Sequence, residues 1–180
     1  MNIVNKKCLL NLAKKAIESE LNGKKLVVGE IPSEFRKEKA CFVTLTKNGE
    51  LRGCIGHLLP VQKLFLDVID NARSAAFTDY RFTPVTISEL PKIKIEISIL
   101  AIPQKHAYSN PQNLLAYLVK NKPGVILKKG INQATYLPQV WEELKNPEEF
   151  MNSLCQKAGL PFDEWQKMGE IELYGVEKIT

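Results

Sequence analysis

The chain has 180 residues, 25 Lys and Arg against 20 Asp and Glu, and a formal net charge of +5. With 44% hydrophobic and 25% charged residues and no low-complexity run, it has the composition of an ordinary globular protein, which excludes a disordered, collagen-like or coiled-coil chain. Domains average about 150 residues, so the chain reads as one domain, or two subdomains sharing an interface, able to bury a core without disulfide or metal staples.

Cys8, Leu9, Leu12, Ala13, Ala16, Ile17 and Leu21 fall at steps of three and four, so the first element is an amphipathic helix that Asn22-Gly23 terminates. Lys24 to Lys39 is polar, contains Pro32, and reads as a loop with a short turn. Ala40 to Thr46 and Leu51 to Ile55 form a hairpin around the Asn48-Gly49 turn signal. Pro60 is expected in the first turn of a second helix, with a stripe from Val61 through Leu64, Phe65, Val68, Ile69, Ala72, Ala75 and Ala76 and an end before Tyr80. Lys92 to Leu100 alternates four isoleucines with Lys94, Glu96 and Ser98, the period of a half-buried strand. Asn110-Pro111 opens a third helix, and Gly124 to Leu127 with Asn132 to Tyr136 make a second hairpin. Asn146-Pro147 opens a fourth helix ending at Gly159. A single last strand is expected over Ile171 to Ile179, with Gly175 as a bulge. Hairpins interleaved with helices, lacking a regular βαβ alternation, predict an α+β fold with an antiparallel-rich sheet and flanking helices.

Cys8, Cys41, Cys54 and Cys155 contain no C-x-x-C pair and stand too far apart for a zinc ribbon or knuckle, so no metal site is expected. The N-terminal segment lacks the apolar core of a signal peptide, and no later stretch approaches the roughly 18 apolar residues needed to span a bilayer. A cytoplasmic protein with reduced thiols and no membrane contact is expected. Of the 25 basic residues only four are Arg, and three of these, Arg52, Arg73 and Arg81, fall between 52 and 81. Arg is the side chain for planar, bidentate contact with an anion, so this clustering is a pointer to a site, with structural ion pairing as its alternative.

The segment Leu51-Arg52-Gly53-Cys54-Ile55-Gly56-His57 concentrates unusual choices. Gly53 and Gly56 inside a strand imply a bulge or a close approach of another backbone or a ligand. Strand alternation places Arg52 and Cys54 on one face, where the guanidinium would favour the thiolate, and His57 can reach the same space as a base if the chain turns after Gly56. Cys54 as a small apolar filler is the competing reading. A second segment, 71–84, carries small residues that permit close helix packing, followed by Asp79 and Arg81, which can orient a substrate or pair locally. A third, 134–141, has Thr135 and Gln139 where a strand runs into a helix; they can hydrogen-bond a ligand, and packing is the alternative. Phosphate-loop, dinucleotide, H-E-x-x-H and G-x-S-x-G signatures are absent, no cofactor is specified, and Lys24-Lys25 and Lys128-Lys129 read as solvated turns more readily than as a nucleic-acid surface.

Taken together, L-R-G-C-I-G at 51–56, A-A-F-T-D-Y-R-F-T-P at 75–84, G-V-I-L at 124–127, T-Y-L-P-Q-V-W at 135–141 and F-M-N-S-L-C-Q-K-A-G-L at 150–160 resemble the AMMECR-domain family, whose prokaryotic members are called AmmeMemoRadiSam system protein A. The resemblance covers nearly the whole chain. It implies two interlocked subdomains with the hexapeptide near a groove between them, and association with a Memo-like protein and a radical SAM enzyme; it supplies no established reaction. Tyr136 stands where the family often has Phe, and the position of His57 varies, which argues against a catalytic role for His57. Two functions follow as expectations. One is an enzyme or enzyme component in which Arg52, Cys54 and Asp79 do chemistry and Arg81, Gly53, Gly56, Thr135 and Gln139 bind an anionic small molecule. The other is a noncatalytic binding or adaptor module for a small molecule or partner peptide, with nucleic-acid binding a distant third.

Overall fold

The first apolar stripe folds as α1 (Ile3–Leu21), burying Leu9, Leu12, Ala13, Ala16 and Ile17 in a computed structural model that describes residues 3–167 and 169–180. Gly23, at φ 59°, supplies the left-handed stop. The polar segment that follows contains one 3-10 turn, Ser33–Arg36, anchored by the buried Phe35. β1 (Cys41–Lys47) and β2 (Glu50–Gly56) then pair antiparallel across Asn48 and Gly49, both at positive φ as the hairpin turn requires. Cys41, Val43 and Leu45 alternate into the core.

The second helix, α2 (Leu64–Phe77), starts later than Pro60. Lys63 is extended and bridges Glu38, and the Leu64 amide donates to the Lys37 carbonyl at 3.0 Å. That sheet-like contact holds the preceding residues out of the helix, and Val61, assigned to the apolar stripe, is exposed. β3 (Ile93–Leu100) pairs antiparallel with β1. Its isoleucines point as the alternation predicts, but Ser98 on the opposite face is also buried, so the strand is covered on both faces at that end.

Farther along run β4 (Gln104–Lys105), α3 (Pro111–Asn121), β5 (Gly124–Lys129), β6 (Asn132–Tyr136), α4 (Pro147–Lys157), β7 (Glu170–Tyr174) and β8 (Val176–Ile179). Both Asn-Pro openings act as expected: Asn110 caps α3 by accepting from the Asn113 amide, and Asn146 accepts from the Glu148 and Glu149 amides of α4. The last strand is not continuous. β7 joins a sheet of order β4-β7-β5-β6, β8 joins one of order β2-β1-β3-β8, and Gly175 is the break between them rather than a bulge. The fold is α+β, as expected, with two four-stranded sheets.

The chain divides into two compact units, residues up to Ala101 together with Glu177–Thr180, and Ile102–Val176. In the first, α1 and α2 bury Leu9, Ile17, Leu64 and Val68 with Val43, Leu45 and Ile97 of the sheet. In the second, Leu114, Leu118, Phe150, Leu154 and Trp165 cluster with Val125, Leu127 and Ile171, and Trp141 stacks on Phe150 at 3.7 Å. No helix among the described residues is long and apolar enough to cross a membrane.

Candidate functional site

β2 is the edge strand of the first sheet, and its glycines are packing devices. A Cβ on Gly53 would overlap the carbonyl oxygen of Ala75 in α2 and come within 3.0 Å of its carbonyl carbon. A Cβ on Gly56 would overlap the Cys41 carbonyl and sit 2.6 Å from the Cα of Phe42. The small side chains Ala72, Ala75 and Ala76 do the same from the helix side, so backbone meets backbone along this seam.

The bulge lies at Arg52. Thr46 pairs with Leu51 and Leu45 with Gly53, leaving Arg52 as the extra residue of β2. Simple alternation therefore does not set its direction. Its guanidinium is held by Glu89, with Nε 3.3 Å from Oε1 and Nη2 3.2 Å from Oε2, and Nη2 also donates to the Pro84 carbonyl at 3.4 Å. Lys47 Nζ completes the cluster 2.7 Å from Glu89 Oε1, while the Thr86 amide and hydroxyl donate to Oε2. Bonds from Arg52 first, then Lys47 and Thr86, hold the Glu89 carboxyl well below the usual carboxylate range. The guanidinium expected to meet an anion or the Cys54 thiol is paired with Glu89 in this structure.

Asp79 and Arg81 close the open edge of β2 at Cys54. The Cys54 amide donates to Asp79 Oδ2 at 2.9 Å, and Arg81 Nη2 donates to the Cys54 carbonyl at 3.2 Å. These are the two backbone groups that an edge strand would otherwise leave unpaired. Arg81 also binds Asp79 through Nε at 2.9 Å and Nη2 at 2.7 Å, and Arg52 and Arg81 flank the Phe82 ring at 5.9 and 5.4 Å. The two motifs thus come together, through Cys54 with Asp79 and Arg81 and through Arg52 with the Pro84 carbonyl. The Cys54 thiol is half-buried, and its partner is Thr44 Oγ1 on β1 at 3.3 Å, not His57. Arg73 belongs elsewhere, reaching Glu20 and Ser19 of α1.

Hydrogen bonds from Arg81 first, and from the Cys54 amide, hold the buried Asp79 carboxyl below its ordinary range. A carboxyl lowered on folding stabilises the native state above its unfolded value and loses that contribution as pH falls through the folded one. Asp79 and Glu89 act in the same direction, so the urea midpoint should be flat above about pH 5 and fall steeply below about pH 4. Asp79→Asn and Glu89→Gln should each flatten that slope, as urea titrations from neutral to acid pH will show.

His57 pairs with a residue absent from the sequence-based candidates. Its Nδ1 lies 2.7 Å from Oδ1 of Asp67, a fully buried carboxylate on α2. Asp67 Oδ2 accepts from the Cys41 amide at 2.9 Å and from Asn71 Nδ2 at 3.0 Å, so it ties β1, α2 and the turn after β2 together. Burial beside this carboxylate pushes the Cys41 thiol far above its ordinary value. A signal for it exists in the sequence: Asp67 and Asn71, four apart, sit on the apolar stripe between Leu64 and Ala75, where polar side chains need partners. Glu89, also absent from the candidates, carries no such pattern.

Thr135 and Gln139 belong to the second unit. Thr135 Oγ1 donates to the Val125 carbonyl at 2.8 Å and lies 2.9 Å from the hydroxyl of Tyr174, a phenol that burial pushes up to about 12. Its hydrogen bonding is satisfied inside the fold. Gln139 lies in the 3-10 turn Pro138–Glu142, not an α-helix, and its Oε1 is buried without a partner among the described residues. No three His, Cys, Asp or Glu side chains among the described residues are grouped to hold a metal ion.

The AMMECR1 family model matches residues 10–179. Protein MJ0810 of Methanocaldococcus jannaschii is 38% identical over 168 residues, covering 92% of this chain and 83% of that protein. Protein Mbar_A1807 of Methanosarcina barkeri is 39% identical over 177 residues, covering 95% and 87%. The crystal structure of an uncharacterized protein, PH0010 from Pyrococcus horikoshii, superposes with a TM-score of 0.89 at 32% identity, covering 99% of this chain and 92% of that one. With a family match across nearly its full length and relatives aligned over most of theirs, the chain belongs to the AMMECR1 family.

Proposed function

We propose that the chain is a noncatalytic binding module that works in the cytoplasm as an adaptor beside a Memo-like protein and a radical SAM enzyme. The observation that carries this reading is the internal pairing of the charges an enzyme would need. Arg52 is neutralised by Glu89, and Arg81 and Asp79 by each other and by the backbone of Cys54. Side chains fixed in this way build a rigid surface, and a substrate anion would have to displace Glu89 to reach Arg52. The glycines support the same view, because Gly53 serves the packing of α2 on β2 and Gly56 the approach of β1, and neither leaves room for a ligand at its own position. The partners follow from the family's association, and the exposed loop around Tyr80, beside the paired charges, offers a surface for one of them.

A second reading keeps Cys54 as a nucleophile, since its thiol is half-buried rather than sealed and Arg81 reaches its carbonyl. Labelling by iodoacetamide at neutral pH, followed by mass spectrometry, separates the two. For a binding module, Cys41 and Cys155, both buried, label only on unfolding, while Cys8 and Cys54 label at rates within about threefold of each other, and Arg52→Ala leaves the Cys54 rate unchanged. Labelling of Cys54 more than about tenfold faster than Cys8 would favour the enzyme. Binding to a purified Memo-like protein, retained by Cys54→Ser, is the direct test of the adaptor role.

A further inference from the structure

The second unit carries a cleft of about 510 Å³ that uses none of the residues of the hexapeptide or of the 71–84 segment. It forms where α3 ends and β7 stops, and its volume falls in the range of small-molecule sites. Lys122 closes α3 in the left-handed conformation, its amide donating to the Leu118 carbonyl, and Asn121 Nδ2 donates to the Tyr117 carbonyl. Within the last turn these bonds take up the Leu118 and Tyr117 carbonyls. Across from it, the His106 amide extends the β4–β7 ladder by donating to the Ile171 carbonyl at 2.8 Å.

Two aromatic rings meet at the cleft. His106 and Tyr117 have ring centroids 4.3 Å apart at an interplanar angle of 43°. Neither the imidazole nitrogens nor the Tyr117 hydroxyl has a hydrogen-bond partner among the described residues, and the Tyr117 side chain is exposed. Pro123, Pro138 and the end of β7 at Leu173 and Tyr174 contribute the apolar part of its lining. Its charge is one-sided. Lys105 and Lys122 line it and no Asp or Glu does; Lys105 is paired with Glu170, whereas the Lys122 ammonium has no acidic partner among the described residues.

We propose that this cleft binds a small flat molecule bearing an anionic oxygen group, a carboxylate or a phosphate. The His106–Tyr117 pair and the apolar lining receive the flat body, and the Lys122 ammonium, the imidazole and the phenol receive the anion. A chain with only four arginines, three of them in the first unit's 52–81 segment, would here use lysine as a point charge.

Titration of the 15N-labelled protein with phenyl phosphate, benzoate, phenol and inorganic phosphate tests this. The expected result is saturable amide shifts below about 10 mM for phenyl phosphate or benzoate, centred on His106, Tyr117, Lys122 and Tyr174, with phenol and inorganic phosphate at least about tenfold weaker. Preference between the two aromatic anions tells phosphate from carboxylate. Tyr117→Ala and Lys122→Glu alter exposed side chains and should each weaken the binding about tenfold while leaving the remaining spectrum in place; His106→Gln provides a third variant should either perturb the fold. No saturable shift, shifts centred outside the cleft, binding of phenol as tight as that of phenyl phosphate, or binding indifferent to the variants would overturn the proposal.

Discussion

Gly53→Ala is expected to lower the melting temperature by about 6–12 °C, and Gly56→Ala by a similar amount. Each added methyl would meet backbone rather than a movable side chain: the Ala75 carbonyl for Gly53, and the Cys41 carbonyl with the Phe42 Cα for Gly56. Relief requires α2 to lift from β2 or β1 and β2 to part, and either opens the seam that also contains Val68, Ala72 and Val43. Overpacking of this kind costs about 3 kcal/mol at the upper end of its usual span, and for a chain of this length each kcal/mol moves the midpoint by roughly 2–4 °C. Val in place of Ala should be worse. Two comparisons isolate the cause. Gly175→Ala places its methyl in open space at an ordinary φ, and Lys63→Ala removes an exposed side chain, so both should melt within about 1–2 °C of the parent. Thermal unfolding followed by circular dichroism gives the answer directly; equal midpoints for the Gly53, Gly56 and Gly175 variants would remove the close-approach account of the hexapeptide.

The elements with local signals are legible in the amino-acid sequence alone. Asn48-Gly49, Asn110-Pro111, Asn146-Pro147 and the stripe from Leu9 to Leu21 all specify their conformation through their own backbone preferences, and each folds accordingly. What is not legible depends on partners distant in sequence. The start of α2 is displaced by a bridge from Glu38, and the division of the last strand at Gly175 reflects two sheets competing for one apolar run. In the candidate site, the close approach of another backbone at Gly53 and Gly56 is legible from residue types. The bulge at Arg52 is not, because one inserted residue interrupts the alternation from which Arg52 and Cys54 are expected on one face. Glu89 lies 37 positions from Arg52 in a segment with no periodic pattern, so nothing local announces that it takes the guanidinium.

That ion pair supplies the second large effect. Arg52 and Glu89 are 12% and 18% exposed at their side chains, joined by two hydrogen bonds, and Nη1 of Arg52 is buried without a partner among the described residues. A charged group left alone in such a place costs more than the intact pair contributes, because its desolvation is then uncompensated. Glu89→Gln should therefore cost about 2 kcal/mol, a value below the range for fully buried pairs since water reaches part of this one. Arg52→Met should cost less, because Glu89 keeps Lys47 and Thr86 as donors. The double variant Arg52→Met/Glu89→Leu should recover much of the loss and be more stable than Glu89→Gln alone. The same cycle bears on function. If the guanidinium exists to hold the loop of Pro84 to Glu89 against β2, Glu89→Gln weakens the fold and leaves the protein without affinity for inorganic phosphate. Were Arg52 instead a receptor for an anion, with Glu89 as its resting partner, Glu89→Gln would free it, and the variant would gain phosphate binding together with stabilisation by phosphate. Urea denaturation of the three variants, with and without phosphate, distinguishes these outcomes, and phosphate-dependent rescue of Glu89→Gln would make Arg52 a ligand-binding residue after all.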